Sequence, residues 1–266
     1  MAFIQAIESG DEKVIEYLHT PNEYNYAFSV ACIRGQLGLA KLIRKTFENV
    51  DVFHYGNFVH ACKNGHIHVA KWLYDLNPSF FHECVNHAFR DACIWGYIDV
   101  VSWLYEIAVR NNIPIDIHDV ISRPCIHGYI EVVKWLLDNV KGIDIHAYNF
   151  NAFLFACVGG HIHIMKWLYN LDPNFQNKQG IINDCFQFAC EKGCKQDCGQ
   201  DYTDDEKQKL INIAFWLYEL GAEIETCPEF TNLLKERRKN IESILKNERG
   251  LKDVDVNVFG LVSSYV

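Results

Sequence analysis

Three cysteines spaced four residues apart, Cys190, Cys194 and Cys198, are the strongest candidates for metal or redox chemistry in this sequence. On a continuous helix this spacing would align the three thiols, and zinc is commonly bound by four nitrogen or sulfur ligands. The pattern offered is only a loose C-x3-C-x3-C, and Cys190 also belongs to a longer series of cysteines described below. A metal or redox protein that uses this cluster is therefore an alternative hypothesis, and the favoured interpretation has no metal and no cofactor.

Two His-x-His pairs, His66/His68 and His161/His163, also suggest metal binding at first sight. If these segments are helical, residues two apart point about 200° away from each other and cannot share one metal ion. The pairs lie in two nearly identical stretches, NGHIHVAKWLYDL and GGHIHIMKWLYNL. We therefore interpret them as copies of a structural repeat.

A period of about 32 residues runs through most of the chain. Six cysteines, separated by 30 to 33 residues, mark it: Cys32, Cys62, Cys93, Cys125, Cys157 and Cys190. A glycine follows each of them by three residues, and a tryptophan follows four of these glycines by seven. Disulfide frameworks do not keep such a regular period, whereas stacked structural units do.

Each unit has the pattern of two helices joined by a tight turn. Phe58, Ala61 and Cys62 would share one face of a short first helix. The apolar residues of IHVAKWLYDL recur at helical spacing and predict a second helix, in which the tryptophan belongs to the core stripe. Gly65 lies between them, where the chain must reverse and a left-handed backbone favours glycine. One such hairpin cannot bury both faces, so the units must stack.

Composition excludes several classes of function. The 266 residues carry a formal net charge of −9, which argues against a nucleic-acid partner, and 49% of them are apolar, enough for a sizeable core. No apolar run reaches the length of a membrane helix, and the first residues lack the pattern of a secretory signal. Phosphate-binding, hydrolase and metalloprotease motifs are absent from the sequence. We therefore expect an intracellular, cytoplasmic protein without catalytic residues.

The repeat resembles the ankyrin repeat. Four consecutive units carry its second-helix pattern, as NGHIHVAKWL, WGYIDVVSWL, HGYIEVVKWLL and GGHIHIMKWL, and ELGAEIE is similar to its end. The T-P-L-H opening of the family is missing, and cysteine and tryptophan replace an alanine and a leucine. The recurring KWLY is similar to ankyrin proteins of giant DNA viruses of amoebae, which would place the chain in a host cytoplasm and in host–virus interaction.

The expected fold is all-α, a solenoid of about seven ankyrin-like repeats over residues 1–226 with a helical cap over 227–266. A polar insertion at 194–209 interrupts the last repeat, either as a surface loop or as an added binding element. The resemblance implies a non-enzymatic scaffold that binds another protein on its concave face. It leaves open an adaptor that recruits a ubiquitin-ligase scaffold protein through an F-box-like segment within residues 229–266.

The resemblance also implies where a partner would bind, namely beside the turn glycines. Residues at these positions are Arg34, His66, Trp95, Tyr97, His127, Tyr129 and His161. Aromatic residues outside a core stripe are frequent anchors of protein interfaces, and the core does not require a large ring at Trp95. Tyr97 and Tyr129 could equally serve to cover the glycine turns, and the sequence does not decide between these two roles.

Overall fold

A computed structural model of the protein describes residues 6–249, with gaps at 8, 118–119, 145–146, 173–174, 176–177, 195–201 and 224–226. In these ranges the regular structure consists of helices, with no β-strand, so the predicted all-α class is confirmed. The α-helices, in chain order, are α1 Pro21–Ile33, α2 Leu37–Thr46, α3 Tyr55–Lys63, α4 Ile67–Leu76, α5 Val85–Trp95, α6 Ile98–Arg110, α7 Ser122–His127, α8 Ile130–Asn139, α9 Ala147–Val158, α10 Ile162–Leu171, α11 Gln179–Gly193, α12 Asp204–Glu219 and α13 Pro228–Arg249. Short 3-10 helices span Glu12–Tyr17 and Pro78–His82.

The chain divides into two compact units, Met1–Asp144 and Ile145–Val266. The first unit contains four helix pairs, from α1/α2 to α7/α8, and its first helices α1, α3, α5 and α7 pack consecutively on one another. The second unit contains the pairs α9/α10 and α11/α12, followed by α13. Each unit is therefore built from stacked helix-turn-helix repeats, as the period predicts. None of the helices in the described ranges combines the length and the apolarity that crossing a bilayer requires.

The turn within each of the first five pairs is made by a left-handed glycine, as predicted. Gly65 has φ of 76°, and its N–H donates to the Cys62 carbonyl at 3.0 Å while the His66 N–H donates to the Ala61 carbonyl at 2.8 Å. These bonds satisfy carbonyls at the end of α3 that have no partner within the helix. Equivalent glycines with φ of 72° to 84° are Gly35, Gly96, Gly128 and Gly160.

The regularly spaced cysteines form the centre of the stack. Cys32, Cys62 and Cys93 are fully buried on consecutive first helices of the first unit, each beside a fully buried alanine. Small side chains allow the first helices to approach closely, and a buried unpaired cysteine behaves as a small apolar residue. The period of the cysteines thus reflects the stacking of layers.

The tryptophans link each repeat to the one before it. Trp72 contacts Phe28, Trp103 contacts Phe58 and Trp216 contacts Phe153, each with ring centroids 6.2 Å apart. The rings are partly buried, so they lie at the edge of the core and not at its centre. A tyrosine of the preceding second helix meets the same ring edge-on, as Tyr74 does with Trp103 at 6.0 Å.

A recurring asparagine, which the sequence analysis overlooked, fastens the segment that leaves each of three repeats. It lies seven residues before the cysteine, at Asn25, Asn86 and Asn183. Its side-chain oxygen accepts the backbone N–H of Asp51, Asp116 or Glu223, respectively, at 2.9 to 3.2 Å. This bond holds the connecting segment against the first helix, where the family's T-P-L-H motif is missing.

The last repeat departs from the pattern in two ways. Gly193 is the final residue of α11 and is not among the left-handed glycines; a Cβ there would lie 3.0 Å from that of Leu210, so glycine allows α11 and α12 to approach closely. The polar segment 194–209 was expected to be a loop or a separate element, but its residues 204–209 form the first turns of α12. Thr203 and Glu206 cap that helix reciprocally, which explains why a polar stretch is helical.

The helix α13 packs on the last repeat through Phe230. This side chain is fully buried, and its ring centroid lies 5.1 Å from that of Phe186 and 4.9 Å from that of Phe215. Pro228 begins the helix at the position where its missing N–H is not needed. Residues 250–266 lie outside the described residues, so the F-box-like interpretation of 229–266 stays a prediction.

Candidate protein-binding site

The predicted site residues of the first unit lie at the turns between paired helices. We use the term turn ridge for the residues that directly flank the turn glycines of that unit and were predicted to bind: Arg34, His66, Trp95, Tyr97, His127 and Tyr129. They occupy two positions of the repeat, the end of the first helix and the N-cap of the second. His161 has the second of these positions in the other unit, and it is described separately below.

Trp95 is the most exposed aromatic side chain of the turn ridge. It is the last residue of α5, which ends there because Gly96 turns left-handed with φ of 79°, and 48% of its surface is exposed. The ammonium group of Lys63, one repeat earlier, lies 5.4 Å from the centre of its ring. Such a cation–π contact contributes about 0.5–1 kcal/mol at an exposed site and holds the ring in place. Sequence reasoning missed Lys63, although it occupies the end of a first helix.

Tyr97 and Tyr129 each lie against the turn glycine of the preceding repeat. A Cβ added at Gly65 would be 2.5 Å from the ring of Tyr97, and one added at Gly96 would be 2.5 Å from the ring of Tyr129. The role of covering the glycine turns is therefore real for both tyrosines. Tyr97 still exposes 36% of its surface, so covering Gly65 leaves part of the ring free for a partner.

The remaining members of the turn ridge add polar and cationic groups. His127 is exposed and its ring lies 6.2 Å from that of Tyr129, while Arg34 is exposed at the end of α1. His66 is half-buried over Gly35, and this burial lowers the pKa of its imidazole. The ridge thus combines aromatic surface with the positive charge of Arg34, and Lys63 adds a second positive charge beside Trp95, although the whole chain carries a net charge of −9.

The two His-x-His pairs make structural contacts in the stack of repeats. The rings of His66 and His68 are 6.2 Å apart, and Nε2 of His68 lies 2.8 Å from the carbonyl oxygen of Gly35 in the preceding repeat. His161 and His163 have the same arrangement, with ring centroids 5.8 Å apart. His68 therefore joins adjacent repeats, as a structural repeat residue is expected to do.

The residues around His161 differ from those around the equivalent positions of the turn ridge. It is the half-buried N-cap of α10 in the second unit. The adjacent Gly160 is approached by the Cβ of Lys209, which would lie 3.2 Å from an added Cβ, where Gly65 and Gly96 are covered by tyrosines. The lengthened helix α12 supplies this lysine, which takes at Gly160 the place that a single tyrosine ring has at Gly65 and at Gly96.

The regularly spaced cysteines of the first unit are poorly suited to chemistry. Burial raises the pKa of the thiols of Cys32 and Cys125 to about 12. Because the thiolate is the reactive form, these thiols are unreactive near neutral pH. Their role is packing, in agreement with the interpretation of the period.

Two cysteines of the predicted cluster, Cys190 and Cys194, lie together with a third cysteine that the sequence did not suggest. In the part of the chain that the structure describes, Cys190, Cys194 and Cys227 have sulfur atoms within 4.8 Å of one another. The Cys190 thiol donates a hydrogen bond to Cys194, which raises the pKa of Cys190 and lowers that of Cys194. Cys198 lies outside the described residues. The only signal for Cys227 in the sequence is its place directly before Pro228, at the start of a helix.

Comparison with known proteins agrees with the helix-pair architecture. A search of curated proteins finds no match to this chain. A family model described as ankyrin repeats (many copies) matches residues 117–169, which contain α7, α8 and α9 and most of α10. Ankyrin repeats are in general protein–protein interaction modules and typically non-enzymatic. Residues 117–169 are therefore similar to ankyrin repeats, and the other helix pairs share the helix, glycine turn and helix arrangement of this segment.

Proposed function

We propose that this protein is a non-enzymatic scaffold that binds another protein through the turn ridge. The observation that carries the proposal is the exposure of Trp95 and Tyr97 side by side, one on each flank of Gly96. A large aromatic ring that is half exposed and held by a neighbouring cation offers apolar surface to a partner in a fixed position. Tryptophan, tyrosine and arginine are also the residues that contribute most to protein interfaces.

The order of the residues on the turn ridge supports a preference for partners with acidic groups. Arg34 and Lys63 bring positive charge to the two repeats before Trp95, and His127 follows one repeat later. An acidic or carboxylate-bearing segment laid along the ridge could pair with these groups while an apolar side chain contacts Trp95. Such charge complementarity favours the association rate and selects against partners of the wrong sign.

A capture experiment tests the proposal. We expect the Trp95→Ala/Tyr97→Phe/Tyr129→Phe variant to retain about one tenth or less of the partner that the wild type captures from lysate, since losing an anchor residue typically costs more than about 1.4 kcal/mol. The two Tyr→Phe changes keep the rings that cover Gly65 and Gly96 and remove only the hydroxyl groups. The yield of each captured protein is measured by quantitative mass spectrometry.

The matched control is Val109→Ala, which changes an apolar side chain that is 59% exposed but lies outside the turn ridge. It should capture the same proteins at the wild-type yield, and all three proteins should melt at similar temperatures. Equal capture by the wild type and the ridge variant would contradict the proposed site.

A further inference from the structure

We propose that Cys190, Cys194 and Cys227 bind a zinc ion, with Glu229 as the fourth ligand, and that this ion fastens α13 to the last repeat. The proposal is independent of the protein-binding function. It rests on residues of the second unit alone.

The three sulfur atoms already have nearly the arrangement that zinc requires. They lie within 4.8 Å of one another, and thiolates at the corners of a zinc tetrahedron are about 3.8 Å apart, given a Zn–S distance near 2.3 Å. A contraction of about 1 Å or less, within the reach of side-chain rotations, would bring them to this distance.

The backbone around each cysteine explains why the sulfur atoms converge. Cys190 and Cys194 are four residues apart across the end of α11, so both side chains leave the same face of the helix. Cys227 directly precedes α13, and its sulfur accepts the N–H of Phe230 at 3.4 Å. A helix N-terminus and a backbone donor both stabilise a thiolate, as second-shell groups of metal sites do.

Glu229 supplies the fourth ligand. Its Oε2 lies 3.6 Å from the sulfur of Cys227, and its side chain is exposed, so the carboxylate can turn toward the ion from the solvent side. Three thiolates and one carboxylate select a soft divalent ion such as zinc over magnesium or calcium. Cys194 is half exposed, which gives the ion a path into the site.

The site has a structural use. Phe230 of α13 packs against Phe186 and Phe215 of the last repeat and is close to Cys227 in the chain, so an ion bound at Cys227 would reinforce this contact. Terminal repeats of a stack have only one neighbour and depend on a cap. Zinc would therefore stabilise the capped end of the second unit.

Metal analysis of the full-length protein tests the proposal. Purified under reducing conditions from zinc-supplemented cells, the wild type should contain about one zinc per chain. Replacing zinc by cobalt should give the near-ultraviolet charge-transfer bands of cobalt–thiolate bonds and the strong visible bands of tetrahedral cobalt. Single Cys190→Ala, Cys194→Ala and Cys227→Ala changes should weaken zinc binding by more than about 100-fold, since even outer-shell changes cost 10–100-fold.

Two further variants make the test specific. Cys185→Ala removes another buried thiol of α11 that does not belong to the cluster, and it should leave the zinc content unchanged. Glu229→Gln should weaken binding about tenfold or more, as loss of a ligand does, and wild-type affinity in that variant would overturn the assignment of Glu229. A folded wild type that stays free of zinc and cobalt, or forms a disulfide within the cluster under these conditions, would overturn the site.

Discussion

Replacement of Trp103 by alanine is expected to lower the free energy of unfolding by about 3 kcal/mol. The ring of Trp103 lies 6.2 Å from that of Phe58 and 6.0 Å, edge-on, from that of Tyr74, both in the preceding repeat. Truncating a packed tryptophan removes apolar contacts and leaves a cavity, at a cost of about 3–5 kcal/mol. We expect the lower end of that range because the ring is partly exposed.

Urea denaturation followed by far-ultraviolet circular dichroism measures this effect, since α-helices dominate the signal and tryptophan fluorescence is altered by the change itself. Trp95→Ala is the matched control, because it removes the same side chain from a position where 48% of it is exposed. The free energy of unfolding of this control should fall by about 1 kcal/mol or less, because the change removes one exposed cation–π contact. Equal losses for the two variants would contradict the role of Trp103 as a link between repeats.

Replacement of Gly65 by alanine is expected to lower the free energy of unfolding by about 2–4 kcal/mol. The left-handed backbone at Gly65, with φ of 76°, costs any other residue about 1–2 kcal/mol. The new methyl group would also lie 2.5 Å from the ring of Tyr97, which must then move away from the turn. The two costs add because one is local to the backbone and the other arises between repeats.

A second substitution separates these two costs. In the Tyr97→Ala background, Gly65→Ala should cost only the backbone part, so the double-mutant cycle should give a coupling of about 1 kcal/mol or more. Gly38→Ala serves as a control of opposite sign, because Gly38 lies exposed in α2 with no atom within 4 Å of an added Cβ. It should raise stability by up to about 1 kcal/mol. A coupling near zero would mean that Tyr97 does not pack on Gly65.

Local features of the fold could be predicted because the same sequence pattern recurs in each repeat. Phe58, Ala61 and Cys62 mark the buried face of a first helix, and Gly65 marks the reversal, since both follow from helical spacing and backbone sterics. The recurrence of one pattern in register compensates for the weakness of any single copy. The all-α class and the stacked helix pairs could therefore be predicted from the sequence.

Contacts between adjacent repeats, and contacts of α13 with the last repeat, could not be predicted from the sequence. The contact of Tyr97 with Gly65 depends on the distance between two adjacent repeats. The contact of Lys63 with Trp95 depends on how the same two repeats are rotated relative to each other. Cys227 joins Cys190 only because α13 packs back on the last repeat. In each case residues about 30 or more positions apart meet through packing that no local pattern encodes.

The exception at Gly193 has a similar origin. The period of the cysteines places this glycine at a left-handed turn, but α11 continues through Gly193 and α12 begins only at Asp204. Gly193 then remains helical and permits the close contact with Leu210. Sequence spacing predicts the turn glycines reliably only where the connection between the paired helices keeps its length.

Site-specific photo-crosslinking can show whether the turn ridge is the face that binds a partner. A photoreactive amino acid replaces Trp95 or His127 in two proteins and Val109 in a third, and each protein is irradiated in lysate. We expect the two ridge positions to become linked to the same protein and position 109 to remain unlinked to it. Crosslinking of a common partner from position 109, with none from positions 95 and 127, would contradict it.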